Sequence, residues 1–312
     1  MKKFKQLMKL AAFLFAFSFL FTICTTAEAA SSQKPEGQIF VNPYYNSYKG
    51  TYTWKSVTKM RVTENSIDSF DVYYGRQGDY ISDLKVNKKG LTAEVTYHDS
   101  SEWSSYSYDC YGVISLAADK QGTYKVSFKV RKADGSIAGS YSVKVYCIRN
   151  SGIYNTAKLN KTTIYKRIVK KKGNTTTRNT KSNYKVSSTL KSAKLKLTAN
   201  KGYSITGMLV VSTNANGKKV VKSVKNGKSI NLSRQYSYRT YKEDGTSSRS
   251  NRIYTNIFVS YKDKYLGTYV KYSATKKHGI KEIKRVEKCP DGTVNTSYYD
   301  IDDYGDITLW RY

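Results

Sequence analysis

The sequence predicts an all-β fold: two tandem β-sandwich domains followed by a short C-terminal β-meander. Three observations point there. Tyrosine is abundant, 30 in 312 residues, and with Thr, Val and Ile it suits the pleated, half-buried surface of a strand. No stretch beyond residue 30 sustains a helical apolar period. Segments that alternate apolar and polar residues recur instead, separated by turns rich in Gly, Asn and Ser.

The chain opens with Lys2, Lys3, Lys5 and Lys9, then an apolar run over 10–24, then Ala27-Glu28-Ala29-Ala30. A positive start, a short apolar centre and an Ala-x-Ala end make residues 1–29 a secretory signal peptide, cleaved after Ala29. The apolar run has 15 residues, short of the roughly 20 that span a bilayer, so no transmembrane anchor is expected. Cys24 raises a lipoprotein alternative, but Ile23 stands where lipidation signals carry a small residue. The terminal Leu309-Trp310-Arg311-Tyr312 offers no hydrophobic sorting tail. The mature protein is therefore expected to be secreted and extracellular, associated with the cell surface without a covalent anchor.

The formal net charge of +31 is unevenly distributed. Residues 31–150 hold 16 basic and 12 acidic side chains, 151–279 hold 29 and 3, and 280–312 hold 5 and 7. In the middle segment the acids are Glu243, Asp244 and Asp263 alone. Such asymmetry speaks to partners and not to fold. A basic domain usually suggests nucleic acid, but export removes that as the native partner. Anionic cell-wall polymers, acidic glycans and anionic lipid headgroups are the polyanions available outside a cell. The competing reading is that the lysines are solvated and bind nothing in particular.

Residues 30–50 read as an unstructured lead, and the first domain spans 51–150. Its clearest signal is a hairpin. Tyr124, Val126, Phe128 and Val130 alternate with polar residues, Ala133-Asp134-Gly135-Ser136 turns the chain, and Tyr141, Val143, Val145 and Cys147 alternate again. Each set should face one core. Earlier strands are expected over 69–74, 81–86, 91–97 and 112–116, with a turn every 8–12 residues as in a sandwich. Gly112-Val113-Ile114-Ser115-Leu116 followed by Gly122-Thr123-Tyr124-Lys125-Val126 resembles the late strands of bacterial immunoglobulin-like domains. The resemblance covers about residues 50–148 and implies a spacer or adhesive module in a surface or secreted protein.

Residues 151–279 form the strongly basic second domain, also read as an immunoglobulin-like sandwich. Strands are expected over 187–199, 208–213 and 218–224, with tight turns at Asn216-Gly217 and Asn226-Gly227. A closing hairpin over 251–261 and 265–273 turns at Lys262-Asp263-Lys264. Its residues Ile253, Thr255, Ile257, Val259 and Tyr261 share a face. The stretch 170–182 reads as a basic Thr/Asn-rich loop. In residues 280–312, Asp291-Gly292-Thr293-Val294 and Tyr304-Gly305-Asp306-Ile307 recur 13 residues apart. That short meander is expected to pack on the second domain, because two units cannot stand alone.

No catalytic centre is expected, and no cofactor or metal. His98 and His278 lie far apart, and no paired-cysteine spacing accompanies them. Asp300, Asp302 and Asp303 lack a calcium-loop spacing. His98 falls in the polar stretch Tyr97-His98-Asp99-Ser100-Ser101, and a Cys/His nucleophile would have to use it with Cys110 or Cys147. Those two cysteines either form a disulfide or stay as buried thiols. Cys289 is the expected free thiol. The polyanion-binding candidates are Lys170, Lys171, Lys172, Lys218, Lys219 and Lys222, which cluster in sequence. The glycan-stacking candidates are Tyr236, Tyr238 and Tyr241, where Tyr alternates with polar and basic residues; the competing reading is one more half-buried strand. The function that follows is a non-enzymatic surface binding protein held by its basic domain to anionic wall polymers. A carbohydrate-binding or adhesive module using exposed tyrosines is the alternative.

Overall fold

The computed structural model describes residues 34–46, 50–99, 110–149, 152–172, 175–182, 184–187, 189–234, 238–241, 245–250, 253–277, 280–301 and 303–311. The signal-peptide expectation lies outside them. Every regular element among the described residues is a strand, and none is a helix able to cross a membrane. The chain divides into two compact units, residues 1–58 with 65–145 and residues 59–64 with 146–312.

The first ten strands are β1 (Phe40–Val41), β2 (Tyr44–Asn46), β3 (Thr51–Thr53), β4 (Lys59–Thr63), β5 (Ile67–Tyr73), β6 (Tyr80–Val86), β7 (Leu91–Asp99), β8 (Tyr111–Ala118), β9 (Gly122–Arg131) and β10 (Ile137–Ile148). They make two four-stranded sheets, ordered β1-β5-β8-β7 and β4-β10-β9-β6, and a β2–β3 hairpin. The alternation in β9 is realised: Tyr124, Val126, Phe128 and Val130 are all buried. Val143, Val145 and Cys147 of β10 are buried too, while Tyr141 is half-buried. Phe70 of β5 meets Phe128 of β9 at 6.2 Å between ring centroids, so the inner faces of the two sheets share a core. Gly112 of β8 is required there. A Cβ at this position would lie 2.2 Å from the Tyr74 hydroxyl and 2.8 Å from Ile81 Cδ1.

Two local expectations change in this unit. Residues 40–46, inside the stretch read as an unstructured lead, form β1 and β2. Phe40 and Val41 are buried because β1 pairs with β5, Phe40 opposite Tyr73 and Val41 opposite Val72. His98, read as part of a polar loop, lies in β7 opposite Gly112, and its Nδ1 sits 3.0 Å from the Tyr74 hydroxyl.

The second unit contains β4 and the end of β10, and then β11 (Tyr154–Leu159), β12 (Thr162–Lys172), β13 (Thr175–Ser182), β14 (Lys185–Val186), β15 (Ser192–Ala199), β16 (Tyr203–Thr213), β17 (Lys219–Val224), β18 (Ser229–Asn231), β19 (Tyr238–Tyr241), β20 (Ser247–Ser250), β21 (Ile253–Asp263), β22 (Tyr269–Lys277), β23 (Ile280–Lys288), β24 (Val294–Asp300) and β25 (Ile307–Arg311). One sheet has the order β13-β12-β11-β15-β18. The other has the order β14-β25-β21-β22-β23-β24, with β16 also paired to β21 and β17 to β16. The stretch 170–182, read as a loop, is the β12–β13 hairpin, in register from Tyr165 opposite Ser182 to Lys172 opposite Thr175. Its Thr residues favour strands, and backbone pairing needs no apolar face.

Strand β21 organises this unit. The shared face expected of Ile257 and Val259 is real, and both join a core with Leu195, Leu197, Val210 and Leu309. The opposite face is not wet, however. Phe258 packs in a second cluster with Leu209, Val211 and Ile283. Ile283 belongs to β23, so the β22–β24 portion of the sheet folds back over β16 and β21 as a third layer. Residues 280–312 thus contribute three strands to this sheet, and β25 lies directly beside β21, from Ile253 opposite Arg311 to Ile257 opposite Ile307.

Beyond Ile257 the β25 ladder stops, and side chains take over. Asp306 Oδ2 accepts from the Val259 N–H at 2.6 Å, and Asn256 Nδ2 donates to the Asp303 carbonyl at 2.9 Å. Gly305 lets the chain pass this close. A Cβ there would come within 2.6–2.8 Å of the Ile257 backbone. Asn226 similarly imitates a strand residue, accepting from Leu197 N–H and donating to Leu197 O, both at 2.8 Å.

Two outcomes follow. Gly305→Ala forces backbone apart and should lower stability by about 1–3 kcal/mol or more, read from urea denaturation. Burial raises the Asp306 carboxyl above its ordinary value. The folded state then holds that proton more tightly than the unfolded state does. Stability is therefore lost as pH rises from roughly 4 through the folded pKa, and is flat above it. Asp306→Asn keeps an acceptor for Val259 and removes that loss. Its stability relative to the parent should rise as pH climbs above roughly 4.

Candidate functional site

The five-stranded sheet carries the charge. Its strands contain ten Lys and Arg residues, and the sequence holds no Asp or Glu anywhere from 151 to 242. Its inner face is apolar, with Ala157, Leu159, Ala193, Leu195, Leu197 and Ile230 buried. The alternate residues therefore point outward, and Lys158, Lys166, Lys194 and Lys196 are exposed. Lys158 of β11 stands directly opposite Lys196 of β15. Directly opposed residues place their Cβ atoms about 4.5–5.5 Å apart, so this is a like-charge pair on one face. Lys194 follows two residues along the same strand, roughly 7 Å away. The outcome is a flat face of ammonium groups on a strand lattice.

Asp263, the acid of the basic segment that lies among the described residues, is paired elsewhere. Asp263 is buried, and its Oδ1 accepts from Arg61 Nη2 at 2.6 Å, Tyr265 N–H at 2.8 Å and Leu266 N–H at 3.1 Å. Arg61 also lies 4.2 Å above the Tyr203 ring. Glu243 and Asp244 lie outside the described residues.

The six lysines grouped by sequence are not one site. Lys170, Lys171 and Lys172 end β12, paired with Thr177, Thr176 and Thr175, on the same sheet as Lys158 and Lys196. Lys219 and Lys222 belong to β17 of the other sheet, and Lys218 precedes that strand in the turn after β16. Lys219 Nζ sits 5.7 Å from the centre of the Tyr254 ring. Lys158, Lys194 and Lys196 were not singled out by sequence, because only the pairing register brings them together. The available signal was the Lys-x-Lys alternation of Lys194 and Lys196 within Ala193–Leu197.

Of the tyrosines proposed for glycan stacking, Tyr236 lies outside the described residues. Tyr238 and Tyr241 are in β19, paired with Ser250 and Ser247. A continuous aromatic layer occurs instead in the first unit. Tyr45, Tyr52 and Trp54 come from the β2–β3 hairpin and the residue after it. They contact one another at 5.0–5.1 Å, and Tyr52 and Trp54 meet Tyr73 at 5.6 and 5.2 Å. Tyr73 stacks on Tyr111 at 5.4 Å, and Tyr111 meets Tyr97 at 5.3 Å. Tyr45 and Tyr97, at its two ends, are 50% and 45% exposed.

Cys110 and Cys147 are held as thiols and not as the bridge offered as one alternative. Cys147 is buried in β10, where it fills space as a small apolar group. Cys289 is also free but buried, and accepts from Asn295 Nδ2 at 3.2 Å. Among the described residues no group of three His, Cys, Asp or Glu side chains is placed to hold a metal ion.

No family model matches the sequence, and no curated protein matches it. Solved structures match the chain only at low identity and low TM-score. Domains 5–6 of the S-layer protein SbsC match at 13% identity, covering 78% of this chain and 94% of theirs, with a TM-score of 0.22. The D00-D0 domain of intimin matches at 10% identity over 84% and 99%, TM-score 0.22. The C-terminal domain of the Streptococcus agalactiae AgI/II polypeptide BspA matches at 10% identity over 88% and 100%, TM-score 0.22. At these scores the whole chains do not superpose, and neither ligand nor role is carried over from them.

The Lys158–Lys196 pair makes a stability prediction. Lys196→Glu replaces repulsion by attraction across the strands. It should raise Tm by roughly 1–3 °C in a thermal melt at low salt, a gain that fades as salt is added.

Proposed function

We propose that this chain is an exported, non-enzymatic binding protein of a bacterial cell surface, retained on anionic polymer by the lysine face of its second unit. The leader over 1–29 supports export. The first unit is read as an immunoglobulin-like sandwich that serves as a spacer or partner-binding module, and the second as a sandwich of the same type.

The observation that carries this reading is the directly opposed Lys158 and Lys196 on a sheet without acids. Opposed like charges cost stability in the isolated protein. An anionic chain laid across the strands converts that repulsion into paired attraction. Each ammonium contributes little alone, because an exposed ion pair in water is worth at most about 1 kcal/mol. Many in parallel give retention that salt weakens. Wall-linked polyphosphates or acidic glycans have the required repeated charge, and export argues against nucleic acid as the native partner.

A second reading has its own support. The aromatic layer that ends in exposed Tyr45 and Tyr97 offers ring faces to a sugar. That contact would survive high salt and fail in a Tyr45→Ala, Tyr97→Ala variant.

The test is co-sedimentation of the mature chain with purified bacterial cell walls, with and without their anionic polymers, from low to high salt. The expected result is binding that needs the polymer, fades with salt, and is lost in a Lys158→Glu, Lys194→Glu, Lys196→Glu variant. Retention by that variant, or binding indifferent to polymer, would sink the assignment.

A further inference from the structure

The fold-back of β22 leaves a cleft. Strands β21 and β22 pair only at Tyr261 with Val270 and at Lys262 with Tyr269. At the next step the Tyr272 N–H donates to the Ser260 hydroxyl, 2.9 Å, and not to a backbone carbonyl. The strand then crosses the other face, where Tyr272 meets Phe258 at 5.4 Å between ring centroids. At the same level β16 carries a register shift between Ile205 and Gly207, and its pairing with β17 begins only at Met208 opposite Val224. Two strand pairs thus part where a third is bulged. They open a space of about 690 Å³ within the second unit, inside the range of small-ligand sites.

Its lining is chemically sorted. Lys225, Lys262 and Lys271 reach it from three different segments, and all three are exposed. Tyr261, Tyr269 and Tyr272, each half-buried, line it together with the apolar Met208, Val224 and Val270. Thr206, Ser223 and Ser260 add hydroxyls. Among the described residues no Asp or Glu lines the cleft. Glu287, opposite Val270 on β23, is already paired with Arg285 at 2.5 Å.

We infer that this cleft binds a short stretch of saccharide that carries carboxylates. Tyrosine rings stack on the C–H faces of sugars, and hydroxyls exchange hydrogen bonds with sugar hydroxyls. The lysines supply charge-assisted bonds to the carboxylates. A plain phosphate polymer would use only the lysines. An apolar peptide would leave the hydroxyls unpaired at a cost. The site is separate from the lysine face of the five-stranded sheet and does not depend on it. Its affinity rests partly on desolvated ring contacts, so it should persist at ionic strengths that release a polymer from an open face.

The test is isothermal titration of the mature full chain at physiological ionic strength. The probes are trigalacturonate, a hyaluronan tetrasaccharide and sialyllactose, each beside its methyl ester. The methyl ester keeps the sugar and removes the charge. The expected result is saturable one-to-one binding of at least one acidic probe, with affinity at least roughly tenfold lower for its ester. A Lys262→Ala, Lys271→Ala variant and a Tyr269→Ala variant should each lose a similar factor, while Lys196→Glu binds as the parent does. The two lysines are exposed, so that variant should keep the parental melting curve even if Tyr269→Ala does not. Saturable binding of none of the three probes would overturn the inference. So would equal affinity for acid and ester, or binding that survives the lysine variant and fails in Lys196→Glu.

Discussion

Strand β21 must be covered on both sides, and the second unit is built to meet that demand. Residues Thr255–Ser260 are buried one after another. A strand in an ordinary sandwich wets every other side chain. Here Ile257 and Val259 face one core while Phe258 faces another. The five-stranded sheet covers the first face. The second needs a further layer, which β22, β23 and β24 provide by leaving the plane of the sheet. The polar groups of β21 are satisfied with equal care. Thr255 Oγ1 accepts from Ser233 N–H at 2.8 Å, and Asn256 is held by Asp303 and Thr308. The cleft is the by-product of the fold-back, since a strand cannot change layer and keep its backbone ladder.

Legibility in the sequence followed solvent exposure. The hairpin of β9 and β10 was readable because each strand has one wet face, so alternation survives in Tyr124–Val130. Strand β21 was readable for one face only. Nothing local to Phe258 says that residues 280–301 return to cover it. The hairpin at 162–182 was opaque for the opposite reason. Its Lys, Thr and Asn residues show no apolar stripe, and its strand character comes from backbone pairing. Phe40 and Val41 are two isolated apolar residues in polar company, too short a signal to read as a strand, and they acquire meaning only beside Tyr73 and Val72.

The candidate site was less legible than the fold, because a binding face is a property of register. Lys170–Lys172 and Lys218–Lys222 draw the eye as runs, yet they belong to different sheets. Lys158 and Lys196 are separated by a whole hairpin and stand directly opposed. The C-terminal repeat teaches the same lesson. Val294 and Ile307 occupy equivalent places in two copies of one motif, but Val294 is 54% exposed and Ile307 only 1%. The turns differ as well: Gly292 sits in a turn at φ 92°, while Gly305 runs against the Ile257 backbone.

The acid-free sheet also governs how copies of this protein meet. Its outer strands are β13 and β18, and the sequence of β13 includes Arg178 and Lys181. Two such sheets brought edge to edge or face to face in water repel. A polymer of opposite sign laid between them reverses that force. It would act as mortar between bricks that otherwise refuse to touch. On the proposed reading, the packing density of the protein on a surface would follow the spacing of charge on the polymer and the surrounding salt.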